Sequence, residues 1–333
     1  MFLRSLVTVD WLSWATHLKD LSHFGAQIRN GDYPVSHKFN TLAVDLSSLA
    51  YRSYFGLPDS IKSIDGKPVN AIKGYLDALN RFIKMYEPKT IIHATDEDWR
   101  PQWRVDLLPQ YKAHRVEDET EEIVPDDLDY QLNLLPDILA DMGMNEIGIE
   151  KAEADDVLAT ISFNYESVVV ITGDRDLLQL IDDQRGIAVH ILGKEGGLLL
   201  NEQSVKDKYG VSSQQYIDFS VLRGDASDGL PGVKGIGEKT SAKLIQSLHS
   251  LERIIQESNS KNSFMSEKIR ISILESIDYI TKAKYVVKLK TDLTLNKPGS
   301  FQPMALVDIR AKYANIKIGN QIGTFYELSK TLS

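Results

Sequence analysis

Ser167-Val168-Val169-Val170-Ile171-Thr172, closed by Gly173-Asp174-Arg175-Asp176, is the stretch that decides the fold. A short β-branched run with no helical period, ending in turn-forming residues, reads as a strand buried on both faces. Two earlier runs have the same form: Phe39-Asn40-Thr41-Leu42-Ala43-Val44 ends in Asp45, and Thr90-Ile91-Ile92-His93-Ala94-Thr95 ends in Asp96. A fourth strand is predicted at Ile187–Leu192. Between these runs the apolar residues fall three and four apart, as in Ile72, Leu76, Leu79, Phe82, Ile83 and again in Leu132, Leu135, Ile138, Leu139. A further helix is expected over Glu153–Ile161. Strands alternating with helical periods predict an α/β fold: a mostly parallel central sheet with flanking crossover helices.

Acids end three of these strands: Asp45, Asp96, and Asp174 with Asp176. Ligands of open α/β sheets bind outside the carboxyl ends of the strands, so these side chains are expected in one crevice. Glu153-Ala154-Asp155-Asp156 opens a helix, and Asp225 and Asp228 lie in a later Gly-rich loop. Carboxylates sharing a pocket repel and need cations to stay ionised. With no cysteine and no His-rich spacing, oxygen ligands dominate, which favours Mg²⁺ or Mn²⁺ over Zn²⁺. Two such ions can activate water and stabilise the leaving oxygen of a phosphodiester. Taken singly, each acidic cluster is more often a solvated surface or a cap. Composition and spacing leave both readings open.

Beyond about residue 201 the pattern turns helical, over Ser204–Tyr209, Ser213–Arg223, Glu238–Leu248 and Leu251–Glu257. Gly232-Val233-Lys234-Gly235-Ile236-Gly237-Glu238-Lys239-Thr240 is no P-loop, because Glu238 separates Gly237 from Lys239 and no strand precedes it. It reads as a tight turn between helices whose N–H groups can approach phosphates, with Lys234, Lys239 and Lys243 adding charge. A plain Gly-rich connection is the alternative. Tyr111-Lys112-Ala113-His114-Arg115 lies in a polar segment, 97–127, with no evident core face, as an arch or lid would. Lys112 and Arg115 could stabilise phosphate charge there, with Arg52 a third phosphate contact; taken by itself the Lys112–Arg115 stretch is more often an ordinary solvated basic face, and the bland reading of Arg52 is a pairing with an acid. His93 and His190 sit inside strands and read as core or surface residues rather than catalysts. The stretch from about 258 to 333 is weakly patterned.

The chain has 333 residues, 42% hydrophobic and 26% charged, enough for one large or two smaller globular domains. Lack of cysteine excludes disulfides and a thiol nucleophile and fits a reducing compartment. No segment has signal-peptide or membrane-spanning character, so a cytoplasmic protein with no membrane partner is expected. The net charge of −9 argues against a nucleic-acid partner only on average, since Arg100, Arg104, Lys112, His114 and Arg115 form a basic stretch.

In that order, Val44-Asp45 with Leu49-Ala50-Tyr51-Arg52, Tyr111-Lys112 with Arg115, Glu153-Ala154-Asp155-Asp156-Val157, Thr172-Gly173-Asp174-Arg175-Asp176-Leu177, Gly224-Asp225-Ala226-Ser227-Asp228 and the Gly-rich turn resemble the 5′-nuclease family. That family comprises the 5′–3′ exonuclease domain of bacterial DNA polymerase I and the flap endonucleases, and the likeness covers about 40–295. It implies a PIN-like 5′-nuclease core with a helix–two-turn–helix DNA-binding part. It implies a two-metal site, with Asp45, Asp96, Glu153 and Asp155 holding or supporting one ion and Asp174, Asp176 and Asp228 at the other. Asp156 and Asp225 match further family acids that reach outer metal or water. Lys112 and Arg115 fall where the family arch carries its catalytic, positively charged residues. The Gly-rich turn, with Gly232, Gly235 and Gly237, matches the element that grips duplex DNA and, in relatives, K⁺.

Two positions depart from the family: Ala94-Thr95 precede Asp96 where an aromatic is usual, and Gly229 follows Asp228 where Asn is usual. The resemblance divides the chain into an extension at 1–38, a catalytic domain at 39–200 with an arch at about 97–127, a helical DNA-binding part at 201–298, and a C-terminal segment at 299–333. It implies a monomeric nuclease acting on free 5′ ends, 5′ flaps or RNA primers on duplex DNA, in primer removal and repair. A PIN-type ribonuclease and a non-catalytic DNA-structure-binding protein are the alternatives.

Overall fold

The structure, a computed structural model, describes residues 38–118, 121–295 and 301–332. The expected extension lies outside them apart from Lys38. β1 (Thr41–Asp45) leads into α1 (Leu46–Gly56) and α2 (Asn70–Tyr86). β2 (Thr90–Thr95) is followed by α3 (Gln102–Leu107) and a small hairpin of β3 (Val116–Asp118) and β4 (Glu121–Glu122). Next come α4 (Asp126–Asp141), β5 (Asn145–Gly148), α5 (Ala154–Asn164), β6 (Val168–Thr172), β7 (Ile187–Ile191) and β8 (Leu198–Leu200).

The central sheet has the order β5-β2-β1-β6-β7-β8, parallel throughout except for the β7–β8 pair. Every residue of β1, β6 and β7 is buried, as a sheet covered on both faces requires. Alternate residues then feed opposite layers. Ala43, Val168, Val170 and Val189 join the core under α5. Leu42, Val44, Val169 and Ile171 join the core under α2 and α4.

The helical part contains α6 (Glu202–Tyr209), α7 (Tyr216–Arg223), α8 (Glu238–Leu248), α9 (Leu251–Ser258), α10 (Glu267–Glu275) and α11 (Ile277–Val287). Its Tyr216, Phe219, Leu244, Ile254 and Ile280 belong to the same apolar cluster as the α5 face of the sheet. The seam expected near residue 200 is therefore a shared core. The poorly patterned C-terminus forms α12 (Leu306–Lys312) and α13 (Gly319–Leu328), whose Ile309, Ile322 and Phe325 are fully buried in the α2 layer. Helices of about two to three turns offer too few apolar positions for a clear period.

Three features run against expectation. β5 and β8 add to the expected strands: both are short edge strands that need only one partner. α1 is likewise additional. The 97–127 segment does have a core face, since Arg104, Leu108 and Tyr111 are buried.

Candidate active site

β1 lies between β2 and β6, so chain order reverses direction beside it, the switch point at which open α/β sheets bind ligands. Asp45 ends β1 there. Its Oδ1 accepts the Ser48 N–H at 2.9 Å, capping α1, and its Oδ2 accepts the Thr172 hydroxyl at 2.8 Å from the end of β6. Thr172 Oγ1 also accepts the Asp174 N–H at 2.9 Å, and Asp174 Oδ1 accepts the Asp176 N–H at 2.8 Å. One hydroxyl thus sets two strand-end acids side by side. From β2, Asp96 accepts the Ser47 hydroxyl at 3.1 Å and the Ala154 N–H at 2.9 Å. That second bond docks the N-terminus of α5, and with it Glu153 and Asp155, against the same strand ends.

Glu153 is almost wholly buried. The Tyr111 hydroxyl lies 3.0 Å from both its oxygens, and Lys112 Nζ is 3.2 Å away. Lys112 is tied to the Gly-rich loop by its own N–H, which donates to the Asp228 carbonyl at 3.0 Å. Its φ of 48° is unusual for a non-glycine residue. Arg100 braces the turn before it, donating to the carbonyls of Tyr111 at 2.6 Å and Pro109 at 3.0 Å. Arg115 donates to the Ser227 carbonyl at 2.8 Å and lies 3.5 Å from Asp228 Oδ1. Both expected bases face the acids.

Burial raises Asp45 to about 7, helped by the charge of Asp96. Burial likewise lifts Glu153 to about 7 against the pull of Lys112 and Arg104. Asp155, Asp174 and Asp176 are also raised, first by burial and then by one another's charges: Asp174 and Asp45 act on Asp155, Asp228 on Asp174, and Asp174 on Asp176. Groups that repel this strongly occupy one pocket. As they stand, no three described carboxylates converge closely enough to form a finished coordination cage. Two observations nevertheless fit hard cations. Asp176 Oδ1 and Asp228 Oδ1 are buried without a hydrogen-bond partner, a costly state that for Asp228 is offset in part by the Arg115 guanidinium 3.5 Å away. The surrounding donors are all oxygens, as Mg²⁺ and Mn²⁺ prefer.

Two expected ligands are otherwise engaged. Asp156 is fully buried and accepts a two-pronged pair from Arg104, at 2.9 and 2.8 Å, with the Lys290 N–H at 2.9 Å. In this structure Asp156 serves a buried ion pair with Arg104. Asp225 accepts from Ser227 and pairs with Arg223 at 3.0 Å and Arg175 at 3.5 Å. Burial pushes Asp225 up, but the Ser227 bonds and the two arginines outweigh it and leave it below the usual carboxylate value. Asp96 is exposed and acts here through the α5 cap.

Arg52 is half-buried on α1 and makes no ion pair among the described residues. Lys234, Lys239 and Lys243 are exposed and, among the described residues, likewise unpaired. A Cβ at Gly235 or Gly237 would meet no protein atom, so nothing inside the chain demands glycine's small size there. Gly232 instead lies against the Arg223 carbonyl. His93 and His190 are core residues: burial lowers them to about 3 and 4, and their rings bond the hydroxyls of Tyr75 and Tyr86. Sequence reading missed Arg100, Arg104 and Tyr111 as site-building residues. Arg104 and Tyr111 are buried and Arg100 acts through backbone carbonyls, neither of which a polar segment displays in its sequence.

Two family models match successive stretches of the chain: the 5′-3′ exonuclease N-terminal resolvase-like domain over residues 40–210, and the 5′-3′ exonuclease C-terminal SAM fold over 211–307. A 5′-3′ exonuclease of Streptomyces coelicolor is 39% identical over 300 residues, covering 88% of this chain and 100% of that protein. The thermostable DNA polymerase I of Thermus thermophilus is 34% identical over 262 residues, covering 78% of this chain but 30% of the polymerase. Among solved structures, a bacteriophage T5 flap endonuclease in a pseudo-enzyme-product complex with DNA and metal ions has a similar fold. Its TM-score is 0.59 at 21% identity, over 87% of this chain and 99% of that one.

Proposed function

The chain belongs to the 5′-3′ exonuclease family, and from that premise we propose that it is a divalent-metal-dependent enzyme that hydrolyses DNA phosphodiesters at or near free 5′ ends. The supporting observation is the meeting of Asp45, Glu153, Asp155, Asp174, Asp176 and Asp228 at the switch point, opposite Lys112 and Arg115. Asp45, Glu153 and Asp155, with Asp96 in support, would hold one Mg²⁺ or Mn²⁺, and Asp174, Asp176 and Asp228 the other. When bound, the ions supply an activated water and stabilise the leaving 3′ oxygen, yielding a 5′-phosphate.

The chain's own residues do the rest. Lys112 and Arg115 sit over the acids and offset charge that develops on the phosphate. The glycines at 235 and 237 let the backbone of the turn approach a duplex phosphate, and Lys234, Lys239 and Lys243 add sequence-independent attraction. Recognition is then by structure, at 5′ ends, 5′ flaps or RNA primers, by a monomer working in primer removal and repair. No described helix is long and apolar enough to cross a membrane. A K⁺ ion at the 232–237 turn belongs to the same reading, and replacing K⁺ with tetramethylammonium should weaken duplex binding; unchanged binding would remove it.

The test is cleavage of a labelled 5′-flap duplex and of single-stranded RNA in Mg²⁺, with EDTA added afterwards. Flap cleavage that stops with EDTA is expected. Cleavage of RNA alone would favour the PIN ribonuclease, and binding without cleavage a structural DNA-binding role. Asp174→Asn should abolish cleavage while leaving the melting temperature and flap binding intact. Undiminished cleavage would remove Asp174 from the ligand set.

A further inference from the structure

Arg104 is among the largest fully buried side chains, at 1% exposure, although it carries a permanent charge. A guanidinium in that place cannot reach a nucleic-acid phosphate. Instead it meets three parts of the molecule at once. Its Nη1 and Nη2 donate to Asp156 at 2.9 and 2.8 Å, and Nη1 stands 3.4 Å from Glu153 Oε2. Its Nε donates to the Val286 carbonyl, at the end of α11, at 3.1 Å. The chain leaving α11 is held against the back of the pocket by further bonds of the same kind. Gln179 Nε2 donates to the Val287 carbonyl at 3.1 Å, Gln179 Oε1 accepts the Leu289 N–H at 3.2 Å, and Asp156 accepts the Lys290 N–H.

We propose that Arg104 is a positioning residue: a permanent internal cation that fixes Glu153 at the pocket and couples that placement to the end of α11. The planar fork is suited to this. Two N–H groups lock onto Asp156, which keeps the remaining face of the guanidinium directed toward Glu153. The ring of Trp103, 4.5 Å away, packs against the guanidinium and limits its tilt. Arg104 and Lys112 approach Glu153 together, so the carboxylate is held from two directions while Tyr111 donates to its oxygens.

The inference rests on the metal-dependent nuclease reading, and the experiment separates the two. Removing Arg104 alone strands Asp156 as a buried charge, so Arg104→Met should lower both the melting temperature and the single-turnover cleavage rate. Replacing both members of a buried pair with apolar residues usually recovers stability. The double variant Arg104→Met/Asp156→Leu is therefore expected to melt above Arg104→Met, short of the wild type because the Lys290 N–H and Val286 carbonyl lose their partners, to bind the flap duplex normally, and still to cleave about 100-fold more slowly, the scale of a misplaced site group. Arg104→Lys keeps the charge but not the fork; it should cleave at an intermediate rate with duplex binding unchanged. A double variant, or a Lys variant, that cleaves at the wild-type rate would overturn the positioning role. So would equal losses in cleavage and binding. Failure of the wild type itself to cleave in Mg²⁺ would instead sink the nuclease reading.

Discussion

Gly229 offers the sharpest test of how the site is assembled. Its φ is +69°, and a Cβ built there would stand 2.3 Å from the Gln110 carbonyl oxygen. An ordinary carbon–oxygen contact is roughly 3.4 Å, so Gly229→Ala must open this contact by about 1 Å. Whichever side yields, the site moves: Gly229 adjoins Asp228, and Gln110 is two residues before Lys112, whose N–H is bonded to the Asp228 carbonyl. The left-handed backbone costs about 1–2 kcal/mol with a side chain present. Overpacking adds about 1–3 kcal/mol. A shift of about 1 Å in a site group costs about 100-fold in rate. Gly186→Ala supplies the control, because φ there is +67° but the nearest atom, Ser167 Cα, is 3.4 Å away, at the far end of the sheet. It carries the backbone penalty without the collision. Single-turnover cleavage of a labelled flap duplex, paired with thermal melting, should show both variants destabilised and only Gly229→Ala slowed. Equal cleavage rates for the two variants would refute the claim that the 108–112 turn is seated on the Asp228 loop.

Three other outcomes are expected. Lys112→Ala should reduce the cleavage rate far more than flap affinity, measured by single-turnover kinetics and fluorescence anisotropy; equal losses would make Lys112 a general phosphate contact. In EDTA the melting temperature should fall as pH rises from about 5 to 8, since Asp45 and Glu153 titrate near 7 when folded but near 4 when unfolded. The folded state binds the extra protons in that window, so its advantage is lost as pH passes about 7, and Mg²⁺ should flatten the slope; a melting temperature that climbs with pH would contradict this. Phe325→Ala, at a fully buried position against Phe301, should cost about 3–5 kcal/mol in urea unfolding, and a loss below about 1 kcal/mol would mean that α13 does not complete the core.

The order of residues along the chain is enough to settle the sheet and the acids at its edge. Runs such as Val168–Ile171 have a single comfortable environment, between two apolar layers, and parallel strands buried that way bring the residues after their last turn of pleat to one rim. The placement of Asp45, Asp96 and Asp174 along that rim is therefore legible from position, whereas Lys112 and Arg115 stand out through the family resemblance rather than their spacing. How each charge is used is a matter of packing. Asp156 and Asp155 are neighbours on one helix, yet the former closes on Arg104 and the latter joins the acidic pocket. That division depends on which side chain arrives from α3 and α11, residues far off in the chain. Local sequence sets a residue's periodicity and its place along a strand or helix. The partner of a buried charge is chosen by the assembled interior, where the cost of leaving it alone in a dry environment selects one geometry from many.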